Sequence, residues 1–407
     1  MKTYCKNVNV LDIGFISKCV FSCLEGKWAR NDVAHFLSSY GKISITRVRK
    51  LVKSGEKYKL YWIVDVVSKE IRDNIKNKTI KLPPIQYSER LDGNSGKIRT
   101  IGTQSIIHQC YEYVAVTATM ELFKKKIGVY QCASIPKRGQ SYGKRAIEKW
   151  LTQDVNGTRY ALKMDVKKCY PSIDQTKLKE LLHRDLHKNS NLIYLLDTLI
   201  DMFDDGISIG SHLSQWLCNY YLSYAYHYIS EKLFTTRNRK NGKKDNIRLI
   251  SHVLFYMDDI IVFGSNKKYL MKAMDMIQDY FNNVLHLTIK PDWRLFKVQY
   301  IDKDKKSHGT FVDMMGFRFY RGKTSVRRSI FKRLRRKFIK INKKLKKHEH
   351  IPVCVAQSTM SYWGWIKNTN SYKFTKRYNA KHVVDISKRI ISNNSKEENK
   401  KKVNGGK

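Results

Sequence analysis

The chain has 407 residues, 42% of them apolar, enough to bury one or two sizeable cores. Its 79 lysines and arginines against 35 acidic residues give a formal charge of +44, and such an excess marks a polyanionic partner, most often nucleic acid. A membrane surface is the competing polyanion, but no apolar run approaches a bilayer span and no signal peptide or lipidation motif is recognised, so no membrane association and a cytoplasmic location are expected.

Residues 1–90 read as a lysine-rich N-terminal region with amphipathic stretches such as Asn31 to Ser39. Asp92-Gly93-Asn94-Ser95-Gly96 is a turn leading into a basic strand, Lys97-Ile98-Arg99-Thr100-Ile101. Alternating strands and helices are expected from there to residue 322. In Tyr160 to Asp174 a short strand carries Asp165 near its end, and Pro171 punctuates the chain. A helix follows, with Ser172 and Gln175 spaced as a capping box and Leu178, Leu181 and Leu182 on the buried face. Asp204-Asp205 before Gly206 is a turn. In the next segment, Gly206 to Gln215, Gly210 lacks a Cβ and lets backbone come close to a ligand. An amphipathic helix is expected from Trp216 to Ile229. His252 to Phe263 places Asp258-Asp259 between apolar, β-branched runs, which reads as a tight hairpin. Phe311 to Tyr320 reads as a second hairpin. From Arg328 to Lys347 the period turns helical, with Ile330, Leu334, Phe338, Ile341 and Leu345 on one face and Arg and Lys on the other. The tail from Ser392 to Lys407, rich in Lys, Asn, Ser and Gly, is expected to be disordered.

Two adjacent carboxylates at a hairpin tip need water or a cation to compensate them. With Asp165 from a neighbouring strand they make three, and oxygen-rich clusters of this kind suit Mg²⁺. The eight cysteines are scattered through apolar runs and read as reduced, core-packed thiols. Cys19 and Cys23 lack a second ligand pair for zinc. His183 and His187 have a metal-compatible spacing but sit among Arg184, Asp185 and Lys188, so a solvated helix face is the reading.

Tyr256-Met257-Asp258-Asp259 and the Asp165-to-Tyr170 spacing resemble the two catalytic palm motifs of reverse transcriptases. The resemblance runs in the family's order from Lys97 to Asn370. It implies an α+β right-hand polymerase fold with fingers, palm (antiparallel sheet plus helices) and helical thumb. The expected divisions are a basic N-terminal region (1–90), fingers and palm (91–322), thumb (323–391) and basic tail (392–407). By resemblance, Asp165, Val166 and Asp258 hold two Mg²⁺ ions, or Mn²⁺ in their place, and Asp259 completes the acidic set. Lys97 and Arg99 lie where the family holds the triphosphate. Tyr170 matches the aromatic that stacks beneath the incoming sugar and excludes a 2′-hydroxyl. Ile209, Gly210 and Gln215 fall in the segment that shapes the nucleotide pocket, and Lys290 falls in the strand beside it. Arg138 and Gly139, in Ser134 to Gln140, match a template contact; Tyr256, Met257, Met315 and Gly316 match template and primer contacts. The aromatic cluster Met360 to Lys367 resembles the thumb of bacterial retroelement enzymes.

Most of the family has Gln before the glycine and Pro after the serine, where this chain has Ile209 and Gln215. That departure resembles the reverse transcriptases of diversity-generating retroelements, in which the aliphatic residue accompanies error-prone copying opposite adenine. The expectation is therefore a bacterial or phage-encoded RNA-directed DNA polymerase using an RNA template, a DNA primer or product and dNTPs. A small accessory protein and a dedicated template RNA are the implied partners, and no endonuclease, RNase H or integrase segment is expected. Two alternatives stand beside it: a defence-associated enzyme working with a non-coding RNA, and an RNA-binding protein that keeps the fold without catalysis.

Overall fold

The computed structural model describes residues 2–91, 96–239, 241, 244–367 and 369–404. Asp92 to Ser95, most of the expected turn before the fingers, lie outside the described residues.

The N-terminal region is helical: α1 (Ile13–Leu24), α2 (Asn31–Gly41), α3 (Ile45–Lys53), a short 3₁₀ turn (Lys57–Leu60) and α4 (Tyr61–Lys76). Asp12 and Ser44 cap α1 and α3 by accepting from the N–H groups of Phe15 and Arg47. Strands β1 (Gln86–Leu91) and β2 (Ile98–Thr103) form an antiparallel ribbon that pairs Arg90 with Arg99. Helix α5 (Ile106–Lys126) follows and is buried on nearly every side. It packs on α1, α8 and α9, joining the N-terminal helices to the sheet region.

The central region runs β3 (Gln131–Cys132), α6 (Gln140–Gln153), β4 (Tyr160–Asp165), α7 (Gln175–Leu186), α8 (Ser190–Asp201), α9 (His212–Glu231), β5 (Phe234–Asn238), β6 (Lys244–Arg248), β7 (His252–Tyr256), β8 (Asp259–Gly264), α10 (Lys267–Asn283) and β9 (Arg294–Lys297). Among the described residues, its main sheet has the order β3-β7-β8-β4-β9. Period-two alternation divides the faces. Leu162, Met164, Val253, Phe255, Ile260 and Val262 join the core shared with the N-terminal helices. Ala161, Leu254, Ile261 and Phe263 join a second core under the C-terminal region.

That region adds β10 (Tyr300–Ile301), β11 (Ser307–His308), a ribbon of β12 (Val312–Met314), β13 (Phe317–Tyr320) and β14 (Lys323–Val326), and helices α11 (Arg328–Lys346), α12 (Val353–Ile366), α13 (Tyr372–Arg377) and α14 (Ala380–Asn404). Leu334, Phe338 and Ile341 of α11 are buried, as its periodicity requires. This is an α+β, right-hand arrangement of fingers ribbon, palm sheet and helical thumb.

Three local expectations need correction. The N-cap of α7 is Asp174, which accepts from Lys177 N–H, and not Ser172. Gln175 instead donates to the carbonyls of Phe203 and Gly206, and the Ser172 hydroxyl donates to the carbonyl of Lys167. Helix α9 begins at His212 rather than Trp216, because Ser211 caps it. The stretch after Ser392 continues α14 to Asn404: Lys and Glu are good helix formers, and a helix already anchored by buried Val383 and Val384 needs no new nucleus.

Candidate active site

Antiparallel pairing of β4 with β8 makes Asp165 and Asp259 direct partners. The β7–β8 connection is a two-residue turn, Met257-Asp258, between the partners Tyr256 and Asp259. Met257 takes a φ of +53°, a left-handed conformation that costs a non-glycine residue about 1–2 kcal/mol. Asn219 of α9 supports it, donating to the Met257 sulfur (3.4 Å) and to the Gln215 carbonyl (2.9 Å). The Val166 N–H donates to the Asp258 carbonyl (3.0 Å), so the end of the early strand is tied to the turn. The three carboxylates therefore share one end of the palm sheet.

Their charges are handled differently. Asp165 is ion-paired with Lys290, whose backbone N–H also donates to the Asp165 carbonyl (2.8 Å). Asp259 Oδ1 lies 3.3 Å from Lys163 Nζ, an ion pair without hydrogen-bond alignment. Asp258 has no side-chain partner among the described residues and is met by its own N–H. Burial, then repulsion from Asp165, pushes the Asp258 carboxyl above its ordinary value, while Lys290 and Arg99 oppose the rise. Burial pushes Asp259 up to about 6 against the pull of Lys163. Among the described residues no three His, Cys, Asp or Glu side chains form a ready metal cage. Asp165 and Asp259 are each turned to a lysine. The donors still fit a hard divalent cation: three carboxylates at one strand end, one unpartnered, with a Val166 carbonyl that accepts no backbone N–H among the described residues.

Around this end lie the expected nucleotide residues. Arg99 on β2 is exposed and acts electrostatically on Asp258; Lys97 precedes it on the same chain segment. Tyr170 is half-buried, and its carbonyl accepts from Ile207 N–H (3.0 Å), just ahead of Ile209. The Ile209 carbonyl accepts from Gly102 N–H (2.8 Å). Gly210, at φ +113°, has the Gly102 carbonyl where a Cβ would be, so the close approach it permits is that of the fingers ribbon rather than a ligand. Gln215 and Gly210 line a polar cleft of about 350 Å³ together with Arg30, Arg90 and Gln104.

The expected template and primer residues are only partly open. Arg138 uses one guanidinium N–H on the Gly128 carbonyl (2.9 Å), and Gly139 is the exposed residue before α6. Tyr256 is half-buried. Met315 is buried against Gly143, and its carbonyl accepts from Gln140 Nε2 (2.6 Å). Gly316, at φ +81°, is covered by Trp365: a methyl there would sit 2.5 Å from the indole. Its missing Cβ makes room for the thumb, not for an open groove. The Gly316 carbonyl accepts from Arg327 N–H (2.8 Å), and Thr324 and Asn370 exchange hydrogen bonds (2.8 and 3.0 Å).

Several contributors escaped the sequence. Lys163 sits two residues before Asp165 on β4, and the strand period places both on one face, a signal that was available. Lys163 also donates to the Asp313 carbonyl (2.6 Å), and Asp313 is ion-paired with Arg327, so the acidic end is wired to the β12–β13 ribbon. Glu112 was visible only as an acid in the apolar middle of a helical run. Nothing in sequence spacing points to Asn219.

A right-hand palm with paired carboxylates at the end of its sheet defines a nucleic-acid polymerase. The family model described as reverse transcriptase (RNA-dependent DNA polymerase) matches residues 91–301, just over half of the chain. The protein belongs to that family and is an RNA-directed DNA polymerase. No curated relative matches the sequence. Among solved structures it is similar to an apo telomerase from Candida tropicalis truncated from its C-terminal domain, at 12% identity and a TM-score of 0.41 over 70% of this chain and 69% of that one. The apo telomerase from Candida tropicalis gives 12% identity and a TM-score of 0.40 over 68% of this chain and 59% of that one. Among the described residues no helix is long and apolar enough to cross a membrane.

Proposed function

We propose that the chain extends a DNA primer on an RNA template through two divalent cations held by Asp165, Asp258 and the Val166 carbonyl, with Asp259 completing the charge. The observation that carries this reading is the unpartnered, half-buried Asp258 beside Asp165, an arrangement unfavourable without a cation. Magnesium bound there supplies the positive charge that activates a primer 3′-hydroxyl and neutralises departing pyrophosphate. The protein's own groups do the rest. Arg99 offers a fork to the triphosphate. Lys290, if released from Asp165, would be a second hydrogen-bond donor to the phosphates, Lys163 favours the ionised form of Asp259, and Tyr170 closes the pocket against a ribose 2′-hydroxyl. The basic face of α11, in a thumb we assign to 323–391, takes the sugar-phosphate backbone.

Within the family we favour a diversity-generating retroelement enzyme, because Ile209 presents no hydrogen-bonding side chain to an incoming base and a mispair there loses less. A small accessory protein and a dedicated template RNA are the partners this implies. A defence-associated enzyme with a non-coding RNA is the competing assignment. Primer extension on RNA with Mg²⁺ tests the catalytic reading: product should form and vanish in Asp258→Asn while RNA binding persists. Tight RNA binding with no product from the unaltered protein would leave a binding protein only.

A further inference from the structure

Glu112 lies in the middle of α5 with its side chain fully buried, an unusual place for a carboxylate. Its two oxygens are aimed at the amino end of α9. Oε1 accepts from the Ser211 hydroxyl (2.6 Å) and Oε2 from the His212 N–H (3.0 Å). Ser211 in turn caps the helix by accepting from Ser214 N–H (3.0 Å). An anion at a helix N-terminus is favoured by the unpaired N–H groups and the helix dipole. Here it is also the fastener of a particular helix. The residues shortly before it are Ile209 and Gly210, and two turns further along Asn219 supports the strained Met257 next to Asp258.

The site around the carboxylate is not built for stability alone. Burial pushes Glu112 up to about 7, against the pull of Ser211, the His212 and Leu213 amides and Lys27. On the same helix His108 is buried with both ring nitrogens unpartnered, 3.9 Å from Glu112, and burial pushes it down to about 4, so it brings no positive charge. Lys27, beyond α1, donates to Gln109 (2.9 Å) rather than to Glu112. His212 stacks on Tyr113 (4.4 Å) and is pushed down by burial and Lys27. Among the described residues, Cys23 of α1 and Tyr113 of α5 also lie within electrostatic range of Glu112. A carboxylate kept ionised here has little compensation beyond the helix end it holds.

We propose that Glu112 is a positioning residue for nucleotide selection: by fastening the amino end of α9 it sets the Ile209-Gly210 wall of the pocket. This rests on the nucleotide-pocket reading given above. It requires no contact between Glu112 and the nucleotide.

The test is steady-state primer extension on RNA by the full chain, with Glu112→Gln and Ser211→Ala beside the unaltered protein and Asp258→Asn. Glu112→Gln keeps the shape but loses the charge-assisted bonds, so the KM for the incoming dNTP should rise about tenfold with kcat changed far less. Ser211→Ala should shift KM the same way by a smaller factor, and it decides the matter should Glu112→Gln fail to fold. In the unaltered enzyme, KM should climb as pH falls from about 8 to about 6, because protonation weakens the fastening. Glu112→Gln should lose that climb, while the titration of Asp259, common to both proteins, should remain. An unchanged dNTP KM in the folded variants, or a pH dependence identical to that of the unaltered enzyme, overturns the proposal. If the unaltered protein makes no product, the catalytic reading fails first, and that outcome is distinct from a failure of Glu112.

Discussion

Asp165 and Asp259 face each other as register partners across β4 and β8, yet each carboxylate is turned to its own lysine, Lys290 and Lys163 respectively. The free enzyme therefore holds its acidic end half neutralised by ammonium groups. On the two-cation reading proposed above, a cation at Asp165 would have to displace Lys290, which would make the lysines part of the cycle rather than bystanders.

The raised Asp259 fixes a sign for stability. A carboxyl lifted from 3.8 to about 6 contributes stability that is fully present below its ordinary value and lost as pH rises through 6. Asp259→Asn should then unfold at higher denaturant than the unaltered protein at about pH 8, by about 1–2 kcal/mol, with the gap closing toward about pH 4. Millimolar Mg²⁺ should narrow the gap by binding more tightly to the protein that keeps the third acid. Denaturant midpoints across pH, with and without the cation, check this; a gap that grows on acidification contradicts it.

Lys163 opposes the rise in Asp259, so Lys163→Met should lift that carboxyl further. The acid limb of the pH–kcat profile should move upward by about one unit. A profile that stays in place would mean Asp259 does not need to be ionised for turnover.

For Ile209 the measurement is the error spectrum. Ile209→Gln adds a hydrogen-bonding amide beside the incoming base and should reduce misincorporation opposite template adenine severalfold. Sequenced products with the same substitution frequencies would remove the reason for placing this enzyme with the diversity-generating retroelements.

Gly316→Ala puts a side chain at φ +81° and 2.5 Å from Trp365. The strain and overpacking together should lower stability by about 2–3 kcal/mol, read as a reduced unfolding midpoint. An unaltered midpoint would mean that the indole is not seated on the turn.

The acidic end was legible because its two motifs are local: a strand ending in Asp165, and an apolar run broken by Asp258-Asp259, determine their own hairpin and register. The thumb helix α11 was legible for the same reason, its apolar stripe being written every three or four residues. What the spacing could not convey was what each side chain meets across the fold. Gly210 and Gly316 signalled close approach correctly, but the approaching groups are the Gly102 carbonyl and Trp365, more than forty residues away in sequence in each case. Ser172 and Gln175 had a capping spacing, yet Asp174 holds the cap because it directly precedes the helix, two residues nearer than Ser172, and its carboxylate reaches Lys177 N–H. Lys163 was readable from the strand period and was overlooked amid so many lysines.

The β12–β13–β14 ribbon is bolted to the thumb at Gly316–Trp365, Gly316–Arg327 and Thr324–Asn370, and pinned to the palm through Met315–Gln140 and Asp313–Lys163. One run of contacts thus joins the helical thumb to Lys163, the counter-ion of Asp259, so a thumb displaced against the palm would have to strain or break one of these pins.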